Sequence, residues 1–164
     1  MNTYLSTTFG NLNLDALDTY YEAEIVHDGK SVELDLNFEQ TQIEKEAVIR
    51  VDDYLAGLEM YEQKVRQWLR KDFASDGWSK EYIEYHLDVL EDRELKKLLR
   101  YAVPLHDPSL QLFSLVHLDR LGFYPEIGDA IFAIFDYVLD KDLTDLILVV
   151  GIRKDGTYFI TMES

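Results

Sequence analysis

His117 and Asp119 stand two apart in "VHLDRLGF", and Asp136 stands inside the apolar run "AIFDYV". Alternate residues of a strand point the same way, so a histidine and an aspartate at that spacing could share a proton or a metal ion. An aspartate flanked at two-residue steps by Ile134 and Val138 would be desolvated on a buried face, which raises its pKa and suits it to acid–base work. Neither feature is a site by itself. A metal centre needs three or four ligands with supporting partners, and the other histidines, His27, His86 and His106, belong to different segments. Either this strand face is only partly covered near its end or, since a buried acid usually finds a donor, a backbone N–H or a tyrosine hydroxyl satisfies Asp136.

Other chemistries lack their residues. The chain has no cysteine, which removes thiolate nucleophiles, thiolate metal sites and disulfides. The glycines form no Walker loop, no G-x-G-x-x-G and no G-x-S-x-G. "DKDLTD", residues 140–145, superficially resembles a calcium loop, but Asp145 and Gly151 occupy the places where an EF-hand needs glycine and glutamate. It reads as a solvated acidic turn. No cofactor and no metal ion is expected. Carboxylate pairs of the glycosidase kind are too numerous in so acidic a chain to single one out.

A second group of acids is better defined. In "YYEAEIVHDGKSVELDLNFE", residues 20–39, Asp28-Gly29 separates two alternating runs, the strongest short-range hairpin signal. Pairing His27 with Lys30 sets Ile25 opposite Val32, Ala23 opposite Leu34 and Tyr21 opposite Leu36, giving one apolar face. The other face then brings Glu24 against Glu33 and Glu22 against Asp35. A one-residue slip would mix the faces, which a strand with one buried side does not tolerate. These four carboxylates either keep a solvated face polar or receive a cationic partner.

The formal charge of −16, from 32 acidic and 16 basic residues among 164, repels phosphate backbones, so nucleic acid is not an expected ligand. No apolar run is long enough to span a bilayer, and "MNTYLSTTFG" has neither a basic nor an apolar leader region. The expectation is a cytoplasmic protein with no membrane partner. The hydrophobic content of 47% argues for a real core, and the length for a single domain, residues 1–164.

The elements that would carry these residues follow from periodicity. The first third is strand-like. Thr41-Gln42-Ile43-Glu44 has the pattern of a capping box and predicts a helix start. Val51, Tyr54, Leu55, Leu58, Tyr61, Val65, Trp68 and Leu69 then recur at helical steps, with Gly57 softening the middle. "ASDGWS" ends that helix, residues 79–91 restart it, and "DRELKKLLRYA" supplies a third piece. "VPLHDPS" is too rich in proline to continue a helix. From residue 110 on, "LQLFSLVHLDRLGFYP", "DAIFAIFDYVL", "DLILVVGIRK" and "TYFITME" read as four strands, the last two joined by Asp155-Gly156. "AIFAIF" and "LILVV" are apolar at both alternate sets, as strands covered on both sides would be. The pattern predicts an α+β fold: a largely antiparallel sheet of about seven strands, with the mid-chain helices packed on one face.

At the two ends, "FGNLNLDALDTYYEAEI" with "LDLNFE", and then "LDRLGFYPE", "AIFAIFDYV" and "ITMES", resemble an uncharacterised family of bacterial domains of unknown function, number two thousand and four. The helical middle matches only in general character. The resemblance implies a compact α+β bacterial cytoplasmic protein and carries over no catalytic residue. On the residues themselves, the expectation is a non-enzymatic binding protein. In its sharper form it is an immunity-type protein that neutralises a basic toxin through Glu22, Glu24, Glu33 and Asp35. A homodimer is expected if part of the apolar sheet is left uncovered. The alternative is a small hydrolase using Asp136, His117 and Asp119 as acid and base.

Overall fold

The computed structural model describes residues 1–128 and 130–164. Strands β1 (Thr3–Ser6) and β2 (Gly10–Asn13) form a hairpin of their own. Strands β3 (Tyr20–His27) and β4 (Lys30–Asn37) come next, followed by helices α1 (Lys45–Ala56), α2 (Leu58–Ala74), α3 (Trp78–Val89), α4 (Asp92–Leu99) and α5 (Pro108–Phe113). Strands β5 (His117–Phe123), β6 (Ile131–Val138), β7 (Ile147–Arg153) and β8 (Tyr158–Glu163) close the chain. The expected strand "DAIFAIFDYVL" begins at Asp129, which lies outside the described residues. The main sheet runs β3-β4-β5-β6-β7-β8, antiparallel throughout except for the parallel pair β4–β5.

The hairpin register is the expected one, His27 against Lys30 through Tyr21 against Leu36. Asp28 and Gly29 both take positive φ, 51° and 73°, as the two-residue turn requires. Three expectations fail for physical reasons. The strands form two sheets rather than one, because β1 and β2 are tied to a helix. The buried Asp52 on α1 accepts hydrogen bonds from the Tyr4 hydroxyl at 2.6 Å, the Ser6 hydroxyl at 2.7 Å and the Thr7 N–H at 3.2 Å. The capping box at Thr41 does not form, since tertiary backbone bonds use that segment: Leu17 N–H donates to the Thr41 carbonyl and Ile43 N–H to the Leu14 carbonyl. Helix α1 starts after Glu44 instead. Residues 108–113 are helical rather than extended, because Pro108 sits where a helix tolerates it, in the first turn, and the Asp107 carboxylate caps Ser109 N–H at 2.8 Å.

Asp52 makes the β1–β2 attachment testable. Asp52→Ala should cost about 1–3 kcal/mol, since it strands donors that Asp52 now satisfies. Amide exchange should rise first in residues 3–13. Uniform exchange across the whole chain would show that the hairpin is not an independent unit.

The helices cover one face of the main sheet. Tyr54 of α1 meets the rings of Phe123 and Phe135 at 5.8 and 6.4 Å, and Trp68 of α2 stacks on Tyr158 at 4.1 Å. The core cluster takes Leu148, Val150 and Ile152 from β7 and leaves out Val149, and it takes Phe135 and Tyr137 from β6 and leaves out Ile134 and Asp136. The doubly apolar strands are nonetheless partly buried on the second face as well: Val149 and Val138, outside the core cluster, are 3% and 4% exposed. Their second face carries Ile134, Ile147 and Phe159 partly exposed, and Phe159 lies over Gly151, where a Cβ would come within 2.2 Å of its ring.

Candidate functional site

The second face of the sheet places Glu33, Arg120 and Asp136 in one register row, with Asp35, Gly122 and Ile134 in the next. Arg120 reaches diagonally. Its Nε and Nη2 donate to the two Asp35 oxygens at 2.5 and 2.8 Å, and its Nη1 donates to Asp136 at 3.0 Å. Gly122 makes the reach possible, since a Cβ there would lie 2.7 Å from Arg120 Nη2 and 2.8 Å from an Asp35 oxygen. Asn37 donates a further hydrogen bond to Asp35 and another to the Phe123 carbonyl. Asp136 thus has a partner as expected, but it is a guanidinium rather than an N–H or a phenol. Burial raises its pKa, and Arg120 works against that rise.

The four hairpin acids consequently divide. Asp35, expected on an open binding face, is 2% exposed and committed to Arg120, so it cannot meet a partner directly. Glu22, Glu24 and Glu33 are exposed. Glu24 and Glu33 face each other directly, and among the described residues neither has an ion-pair partner.

A cavity of about 1000 Å³ lies elsewhere and is lined by His27, Asp28, Arg66, His117 and Asp119 among others. The His117–Asp119 pairing that the spacing allows is not made. A register shift between Leu118 and Arg120 breaks the strand alternation on which it relied. His117 Nδ1 donates to the Leu115 carbonyl at 3.0 Å, burial lowers its pKa, and Asp119 lies 3.7 Å from Lys141. Beside the cavity, the buried Glu62 of α2 accepts at Oε1 from Arg66 Nε at 2.6 Å and from the Tyr137 hydroxyl at 2.9 Å. Its other oxygen lies 3.5 Å from His27 Nε2.

His27, Asp28 and Glu62 are the one group among the described residues whose ligand atoms, all within 4.8 Å of one another, could hold a metal ion. Glu62 is already satisfied without one. The sequence reading missed it, although its place in the apolar ladder Leu58, Glu62, Val65, Leu69 was a signal that a charge points inward. The remaining histidines are accounted for. His86 is buried between the Tyr82 carbonyl and the Thr144 hydroxyl, and His106 is exposed.

Asp136 lines none of the four principal cavities, and His117 and Asp119 line one that it does not reach. Among the described residues, no helix is long and apolar enough to cross a membrane. Comparison with protein-family models, curated proteins and solved structures finds no match.

Proposed function

We propose that this is a non-enzymatic binding protein whose helix-free sheet face docks a basic protein. The observation that supports it most is the Glu24–Glu33 pair, two exposed carboxylates set directly opposite with no cation between them. Glu22 lies beside them, and the partly exposed Ile134, Ile147 and Phe159 lie on the same face further along the sheet. An apolar centre with a charged flank is the anatomy of a docking surface, and the acids would steer a cationic partner in. An immunity-type role against a basic toxin is the sharper form of this reading.

Opposed like charges cost a sheet about 0.2–1 kcal/mol. The double variant Glu24→Gln, Glu33→Gln should therefore be at least as stable as the parent at neutral pH in low salt, with the margin closing as salt rises. It should also associate more slowly with a basic partner identified by co-expression with neighbouring reading frames. A partner that is not basic, or one bound equally well by the double variant, would overturn the proposal. Self-association through the apolar half is a second arrangement of the same face, and light scattering at 19.2 kDa would exclude it. Turnover on ester, phosphate or glycoside substrates that vanishes in a folded Asp136→Asn variant would favour the hydrolase instead.

A further inference from the structure

On the helix-covered side, α1, α2 and the β7–β8 turn enclose a cavity of about 310 Å³ whose charge runs against that of the molecule. Its lining includes Arg50, Lys64, Arg153 and Lys154 and no acidic residue, in a chain with twice as many acids as bases. The other lining side chains are mostly aromatic, Tyr54, Tyr61, Trp68 and Phe132 among them.

A second observation is independent of charge. Among the described residues, two buried side-chain polar atoms lack any hydrogen-bond partner, the Lys154 ammonium and the Tyr54 hydroxyl, and both residues line this cavity. Native proteins rarely leave such atoms unpaired, and a buried ammonium without a counter-charge is the costliest case. The two atoms do not bond each other, and burial raises the Tyr54 pKa so that its hydroxyl stays a donor at neutral pH. Two donors with no acceptor, in a cavity of cations and rings, specify an acceptor that bears negative charge.

We propose that this cavity binds a small organic anion, with its carboxylate or phosphate oxygens taken by Lys154 and Tyr54 and its body set against Tyr61 and Trp68. Arg50 and Lys64, both exposed, stand where they would draw the anion in. Arg153 is already engaged with the Thr157 hydroxyl and over the Phe159 ring, which leaves Lys154 as the charge that meets the ligand.

The test uses the full chain and three probes, benzoate, phenyl phosphate and inorganic phosphate, titrated by calorimetry. Benzoate or phenyl phosphate should bind at one site per chain, and whichever binds more tightly identifies the head group. Inorganic phosphate, which lacks the ring, should bind more weakly. Lys154→Met and Tyr54→Phe should each weaken the better probe by about tenfold or more, the size of a lost charge-assisted hydrogen bond.

The same variants carry a second readout. Each replaces an unpaired polar atom by an apolar one of similar shape, so their ligand-free thermal midpoints should equal or exceed the parent's. No binding of either ring-bearing probe at about 10 mM, or equal affinity in Lys154→Met, would overturn the proposal. A clear fall in both ligand-free midpoints would overturn it too, because the two atoms would then have partners.

Discussion

Replacing Arg120 by methionine should lower the unfolding free energy by about 3–5 kcal/mol at pH 7, as removal of one member of a buried ion cluster does. Methionine keeps most of the side chain's apolar length, so the loss reports the charge. Without the guanidinium, Asp35 and Asp136, with side chains 3% and 13% exposed and in adjacent register rows, are left with no cation between them. The pH dependence has a definite sign. Burial already raises the Asp136 pKa and Arg120 opposes it, so the variant removes the opposing influence and the folded state holds its proton to higher pH. A native state that binds more protons than the unfolded chain gains stability as pH falls. The deficit of Arg120→Met should therefore be largest at neutral pH and shrink toward acid, as read from urea transitions at a series of pH values. A deficit that stays constant with pH would mean that it comes from lost packing.

Glu62→Leu should cost about 3 kcal/mol, for a different reason. Arg66, with its side chain 27% exposed, can turn toward water when its acceptor disappears. Tyr137 cannot. It is fully buried, and its hydroxyl would be left without the only side-chain acceptor it has among the described residues. The decisive comparison is a double-mutant cycle. Tyr137→Phe should destabilise the parent by about 1 kcal/mol yet leave Glu62→Leu unchanged or improved, because in that background the hydroxyl is a liability. Additive losses would show that Glu62 and Tyr137 do not depend on each other.

What could be read from the sequence was what local physics decides. The β3–β4 register followed from two constraints acting together, a turn that needs positive φ and a period of two with one buried face. The Asp155-Gly156 turn forms too, but as a longer loop in which only Gly156 takes a positive φ, 86°, and the Arg153 N–H bonds the Thr157 carbonyl. Misreadings arose where distant residues decide. Asp35 looks like its neighbours Glu33 and Glu22 until Arg120 is placed beside it, and nothing near Asp35 in the chain announces that arginine. Residues 110–113 read as the start of the strand that follows, but an aspartate cap and a proline in the first turn make a helix. Glu62 was passed over because a single acid within an apolar stripe has no partner visible at helical spacing except Arg66, and that pair alone resembles an exposed one.

The parallel pairing of β4 with β5 has a kinetic meaning. Every other contact between neighbouring strands of the main sheet joins segments close in sequence, whereas this seam waits for the entire stretch 38–116, all five helices included, to fold back. Contacts of that separation form late, since their closure entropy must be met before they stabilise anything. The β3–β4 hairpin and the β5–β8 meander are thus two locally assembled halves, and the Asp35–Arg120 clamp crosses the line where they join. Closure entropy grows only with the logarithm of length, so the stretch between the halves is free to vary, most of all at the exposed residues 103–107. Evolution can lengthen or replace the helical layer without disturbing the sheet, provided that one arginine still finds its aspartate across the seam.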